Sequence, residues 1–235
     1  MNKIPKKIHY CWFGGNPLPK ETVEYIKSWK KYCPDYEIIE WNESNFDMSA
    51  SAFLQKAYDC KKWAFASDYI RIKVMYDIGG VYLDTDEELI QSLDPFLFHD
   101  AFWGLESGLR MQAGVFGCIK KHPILGEILE YYNNLDFKNE ANPLVIGDHI
   151  YKIIKEANPS LELKEEIVSI DGNMVIYPSH YFCPDLATLN INENSYTIHH
   201  PMGSWLPFRA KIRKRLYLFL VSNKLFRLLY RVIKR

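Results

Sequence analysis

Apolar positions in this 235-residue chain fall into short continuous runs that alternate with stripes of helical spacing. Lys7 to Phe13 is an apolar run closed by Gly14, Gly15, Asn16 and Pro17, which predicts a buried strand ending in a loop. Val23, Ile26, Trp29 and Tyr32 then recur at intervals of three, predicting a helix that Pro34 and Asp35 terminate. A second strand is expected over Tyr36 to Trp41, and a long helix from about Ser51 to Asp77, with Trp63, Ala66, Ile70 and Val74 on one face and a stop at Gly79 and Gly80. Val81, Tyr82 and Leu83 form a strand that runs straight into an acidic cluster. Further on, the pattern gives strands near Ala101 to Gly104 and Ala113 to Cys118, helices over His122 to Asn133 and around Ile146 to Ala157, and strands near Val175 and Tyr196. Strand and helix in alternation predict an α/β domain with a largely parallel sheet, whose ligands gather beyond the carboxyl ends of the strands.

Composition changes this picture in two places. The five cysteines, Cys11, Cys33, Cys60, Cys118 and Cys183, are scattered and form no Cys-x-x-Cys pair, which argues against a disulfide framework or a zinc site and for reduced thiols in a cytoplasmic protein. No apolar run has the length of a signal peptide core or a bilayer span. The net charge of zero conceals an asymmetry: residues 209–235 hold ten Lys or Arg and no Asp or Glu, which leaves 19 basic and 29 acidic residues over 1–208. We therefore divide the chain into a catalytic domain over 1–208 and a basic segment over 209–235. In that segment Leu216, Phe219, Leu220, Phe226, Leu229, Tyr230 and Ile233 interleave with the basic residues, a composition suited to the plane of an anionic membrane surface. The expected location is cytoplasmic and peripheral, at the inner face of the membrane; packing of the segment on the acidic body is the alternative. No nucleic-acid partner is expected.

The candidate chemistry centres on Asp84, Thr85 and Asp86. On an extended backbone, side chains two apart point the same way, so both carboxylates can face one ligand at the strand's exit. Hard cations such as Mn²⁺ or Mg²⁺ take oxygen donors and commonly combine one or two carboxylates with substrate phosphates. A dication stabilises the charge that builds on a diphosphate as it leaves a sugar. A chain with 13 Asp meets Asp-x-Asp of order once by chance, and a solvated acidic turn continuing through Glu87 and Glu88 is the plain alternative. One helix upstream, Asp68 and Arg71 are three apart and share a face, as a cleft-facing pair or an ordinary surface pair.

Three ordered segments carry a family resemblance: Ile8 to Gly15, Ala66 to Arg71, and Gly79 to Asp86. Together they resemble the linked signature of the DXD-containing sugar transferases of glycosyltransferase family thirty-two, over roughly residues 4–208. The resemblance implies a GT-A fold, with a nucleotide-binding Rossmann-like mixed sheet, and a retaining, metal-dependent transfer from a nucleotide-sugar. It implies stacking of the donor base on Trp12, ribose and sugar contacts from Asp68, Arg71 and Asp84, and a metal ligand in Asp86. Near the end, Ile198 to Trp205 is similar to the family's closing loop, with Ser204 and Trp205 reaching the metal and β-phosphate and His200 as an added metal contact. Relatives often have Gly-Pro where this chain has Gly147, Asp148 and His149, which leaves the acceptor and any role of Asp148 open. The expected substrates are a UDP-sugar carrying a hexose or N-acetylhexosamine, and a glycan or lipid-linked saccharide acceptor, as in capsular polysaccharide synthesis. Two other classes stay open: an aspartyl phosphatase with Asp84 as nucleophile and Asp86 as acid, disfavoured by Glu88, and a non-catalytic carbohydrate-binding membrane adaptor.

Overall fold

A computed structural model describes residues 2–106, 108–137, 146–170, 173–184 and 191–200. The amino-terminal half alternates as expected. Strand β1 (Lys7–Cys11) leads into helix α1 (Lys20–Tyr32) and strand β2 (Glu37–Trp41), which pairs parallel to β1 with His9 opposite Ile39. The long helix expected over 51–77 is two helices, α2 (Ala52–Asp59) and α3 (Trp63–Ile78). Ser51 caps the first by accepting from Leu54 N at 3.0 Å, and Lys61 breaks the path with φ 56°, a left-handed conformation that no glycine in the sequence announces. Helix α3 is apolar on nearly every side, so it lies inside the molecule with Ala66, Ile70, Ile72 and Met75 fully buried.

Helix α3 ends at Gly79 and Gly80, both with positive φ, and strand β3 (Gly80–Leu83) inserts beside β1 in parallel. His9 fixes this junction. Its Nε2 donates to Gly79 O at 3.0 Å while its Nδ1 accepts from Trp41 Nε1 at 3.1 Å, so one neutral tautomer serves both partners. A Cβ at Gly80 would stand 2.8 Å from Lys7 O and 2.9 Å from the His9 ring, so the strand comes this close only with glycine there.

After β3 come strand β4 (Glu87–Leu89), strand β5 (Ala101–Glu106) and strand β6 (Arg110–Cys118), then helices α4 (Pro123–Asn134) and α5 (Ile146–Ala157). Strands β7 (Val168–Ile170) and β8 (Met174–Tyr177), the short helix α6 (Ser179–Phe182) and strand β9 (Thr197–His199) complete the described strands and α-helices. Among the described residues, seven strands form one sheet in the order β2-β1-β3-β6-β5-β8-β7, and β4 pairs only with β9. The main sheet is mixed, not largely parallel: β6 runs antiparallel to both β3 and β5, and β7 antiparallel to β8. Helical crossovers pair β1 with β2 and β3 and, through a connection containing α4 and α5, β5 with β8 in parallel, whereas β5 and β6 are consecutive strands with a short connection that requires the opposite sense. One apolar cluster, containing Ile70, Met75, Phe116 and Ile150, packs α3, α4 and α5 on one side of the sheet. A second, containing Trp29, Leu83, Phe96 and Phe182, packs α1 and α6 on the other. No helix among the described residues is long and apolar enough to cross a membrane. The basic segment 209–235 lies outside the described residues.

Candidate active site

The carboxyl ends of β1 and β3 lie side by side, since the strands are parallel with Ile8 opposite Val81. Trp12 leaves the first end, its ring partly buried and its Nε1 donating to Asn16 O at 2.6 Å. The acidic motif leaves the second. It is not an extension of the strand: β3 stops at Leu83, and Asp84 to Glu87 form a turn closed by Glu87 N donating to Asp84 O at 3.0 Å. Asp84 and Asp86 therefore do not align by strand alternation, and each faces a different element.

Asp84 faces α3. Arg71 Nη2 lies 3.3 Å from Asp84 Oδ1 and 3.3 Å from Asp68 Oδ1, Arg71 Nη1 donates to Ala113 O at 2.9 Å, and Tyr82 Oη donates to Asp84 Oδ1 at 3.1 Å. The guanidinium also sits 4.8 Å from the centre of the Tyr82 ring. The Asp68 and Arg71 pair is thus no surface pair: the Arg71 side chain is 9% exposed, and Asp68 16%. Burial works against the Arg71 charge, but Asp84, Tyr82 and Asp68 outweigh it and hold its pKa above the ordinary value. Burial pushes Asp68 up to about 6 against the pull of Arg71, as befits the second of two carboxylates sharing one cation.

Asp86 faces β9. Its backbone carbonyl accepts from His200 N at 2.8 Å, and its Oδ1 is 3.8 Å from His199 Nδ1. The same Nδ1 is 2.7 Å from Oε1 of Glu87, a carboxylate with no solvent exposure whose Oε2 has no hydrogen-bond partner among the described residues. Burial raises the pKa of Glu87. Burial would lower that of His199, but the Glu87 charge and hydrogen bond raise it to about 9. The ring of His200, expected to contact a metal, is turned elsewhere: it stacks on Tyr25 at 4.6 Å and meets Glu88 Oε2 at 2.8 Å. The imidazole beside Asp86 is that of His199. Ser204 and Trp205 lie outside the described residues.

Strand β6 borders the motif. Trp103 pairs with Phe116 and Leu105 with Met111, so a single β5 residue opposes the stretch from Gln112 to Val115, and β6 bulges. The bulge turns Ala113 O to Arg71, and Gly114 O accepts from Asp84 N at 2.8 Å. A Cβ on Gly114 would lie 3.0 Å from Glu87 Oε1 and 3.2 Å from Asp84 Oδ2, so the missing side chain lets the two carboxylates approach. At the outer end, Arg110 forks onto Asp148 at 3.2 and 3.0 Å, and a Cβ on Gly147 would overlap Met111 O at 1.9 Å. Asp148 is therefore tied to the β5–β6 hairpin. Glu87, His199 and the β6 bulge had no separate signal in the sequence; a doubled histidine was the nearest one.

Two carboxylates on one turn, backed by a buried arginine, suit a hard cation and a diphosphate better than a soft metal. Among the described residues no three His, Cys, Asp or Glu side chains converge into a complete metal shell, and the donor set fits a cation that takes its remaining ligands from phosphate and water.

Comparison with known proteins agrees with this chemistry. The family model described as "Glycosyltransferase sugar-binding region containing DXD motif" matches residues 19–103. Inositol phosphoceramide mannosyltransferase 3 of Schizosaccharomyces pombe is 31% identical over 130 residues, 54% of this chain and 36% of that protein. Mannosyl phosphorylinositol ceramide synthase SUR1 of Saccharomyces cerevisiae is 28% identical over 145 residues, 57% of this chain and 36% of that protein. The chain thus spans about a third of the length of these curated relatives. Among solved structures, the PaToxG glycosyltransferase shares the fold with a TM-score of 0.56 at 19% identity, over 68% of this chain and 72% of that one. The resemblance to DXD glycosyltransferases of family thirty-two is borne out, and the mixed sheet is that of a GT-A fold.

Proposed function

We propose that the protein is a metal-dependent, retaining glycosyltransferase that moves a hexose or N-acetylhexosamine from a nucleotide-sugar to a glycan or lipid-linked saccharide. The observation that carries this reading is the buried Arg71, which joins Asp68 of α3 to Asp84 of the DXD turn at 3.3 Å each. Such a network is costly to bury for stability alone, because desolvation offsets most of the attraction between its charges. It does give a rigid arginine fork beside two carboxylates at a strand's exit, where diphosphate and sugar hydroxyls need donors and acceptors.

In this proposal Asp86, with Asp84, holds Mn²⁺ or Mg²⁺, and the cation supplies Lewis-acid stabilisation of the leaving diphosphate. Trp12 takes the base, Asp68 and Asp84 orient ribose and sugar hydroxyls, and Arg71 fixes the position of Asp84. Ser204 and Trp205 are proposed to reach the β-phosphate. The acceptor oxygen bonds to the anomeric carbon as the bond from that carbon to the diphosphate breaks, and the acceptor's proton passes to the departing phosphate. Asp148, held by Arg110, is proposed to border the acceptor. The basic composition of 209–235 supports attachment to the inner face of an anionic membrane, where a lipid-linked acceptor would lie; truncation after Phe208 should abolish flotation with anionic vesicles.

The donor is proposed to be a UDP-sugar. GDP-mannose is the second reading, favoured by the mannosyltransferase names of the fungal relatives. Incubation with Mn²⁺ and a panel of UDP- and GDP-sugars tests both, since release of nucleotide from one donor alone names the sugar. The anomeric configuration of the product, read by NMR, tests retention. An absence of release from every donor, with trapping of phosphoryl-Asp84 from a phosphate ester, would favour the phosphatase class instead.

A further inference from the structure

Glu87 is the one residue of the acidic run whose burial the donor-site reading does not explain. It is fully buried, its Oε1 meets His199 Nδ1 at 2.7 Å, and its Oε2 has no hydrogen-bond partner among the described residues. A buried carboxylate held by one hydrogen bond is poor for stability, and apolar groups of the same size commonly do as well or better. Gly114, whose Cβ would stand 3.0 Å from Glu87 Oε1, keeps the space that this carboxylate occupies. What the carboxylate does achieve is geometric. His199 Nδ1 gives its hydrogen bond to Glu87 Oε1 at 2.7 Å, while Asp86 Oδ1, at 3.8 Å, lies just beyond hydrogen-bonding distance.

We propose that Glu87 is a positioning residue: it holds the His199 N–H away from Asp86 and so keeps the Asp86 carboxylate oriented for the divalent cation. The inference rests on the donor-site reading, in which Asp86 binds that cation. The pairing is fixed by the backbone, because Glu87 lies directly opposite His199 in the β4–β9 ladder and His200 N donates to Asp86 O at 2.8 Å. With Glu87 weakened as an acceptor, the imidazole is free to turn its N–H to Asp86 and compete with the cation for the same oxygens. Outer carboxylates that orient groups around a metal typically change its affinity 10–100-fold when removed.

The test is Mn²⁺ binding in the presence of UDP, followed by the loss of the free-ion EPR signal, in wild type, Glu87→Gln and Glu87→Gln/His199→Phe. Glu87→Gln should weaken Mn²⁺ about tenfold. The double variant should recover to within about threefold of wild type, because no N–H remains to compete. A role confined to packing would lower the melting temperature without this recovery. Should Glu87→Gln melt below the assay temperature, Glu87→Met with and without His199→Phe reads the same contrast. Wild-type affinity in the Glu87 single variant, or a loss that persists in the absence of His199, overturns the inference and leaves the donor site standing. Failure of wild type to bind Mn²⁺ with UDP overturns both.

Discussion

The seven-stranded sheet and the two-stranded sheet β4–β9 are held together by opposite means. In the large sheet the register of β3 rests on apolar neighbours: Val81 and Leu83 face one cluster and Tyr82 the other, all of them buried. In the small sheet the acidic stretch at the start of β4 is zipped to the histidines at the end of β9 by one pair whose carboxylate is fully buried, Glu87 with His199, and one half-exposed pair, Glu88 with His200. Trp29 links the two regions by donating from Nε1 to Glu87 O at 2.8 Å. The large sheet supplies rigidity and places Asp84 on Arg71, while the small sheet brings histidines from the far end of the described chain to Asp86. Scaffold and site thus use different chemistry, and they should fail differently.

Arg71→Met should show the largest stability effect. It leaves Asp68 and the partly exposed Asp84 without their cation, and loss of one partner of such a largely buried pair costs about 3–5 kcal/mol. Urea denaturation measures it, and a change below about 1 kcal/mol would mean that the network is solvated.

His9 gives the scaffold a pH signature. Burial lowers its pKa from 6.5 to about 4, so the unfolded chain takes up the proton first as pH falls. The stability that neutral His9 confers is complete above about pH 6.5 and is lost on descent to pH 4, in total about 3 kcal/mol. Subtracting the pH profile of His9→Gln from that of wild type should isolate this loss, and parallel profiles would contradict it.

Gly147→Ala sharpens the contrast within a helix. Alanine ordinarily favours a helix interior by about 1 kcal/mol, yet here its Cβ would overlap Met111 O at 1.9 Å. The expected net effect is a destabilisation of about 1–3 kcal/mol, read by thermal melting. The smallest effect belongs to Glu88→Gln. Glu88 and His200 are 37% and 31% exposed, and such pairs contribute about 0.2–1 kcal/mol. A larger loss would show that the outer pair of the zipper matters as much as the inner one.

These differences also decide what could be read in advance. The alternation of β1, α1, β2, α3 and β3 was legible because the elements have strong periods and β1, α1 and α3 end at glycine or proline, and the three signature segments fall on the end of β1, within α3 and at the end of β3. The antiparallel insertion of β6 was not, because an apolar run carries no direction. Lys61 broke a helix without glycine, and the DXD segment read as extended because a turn through Asp84 and Asp86 leaves the same residue pattern as a strand. In sequence, Glu87 is indistinguishable from its acidic neighbours, although it alone of them is fully buried. Its partner lies 112 residues away, and only the β4–β9 pairing makes the two neighbours. Arg71 was legible as a candidate, but its burial was not, because spacing on α3 fixes a face and not what covers it.

The most direct test is calorimetric titration of the protein with UDP in Mn²⁺ and again in EDTA, with Asp86→Asn alongside. UDP binding should need the cation and weaken strongly in the variant. UDP binding of equal strength in EDTA, or untouched by loss of the Asp86 carboxylate, would contradict the proposal.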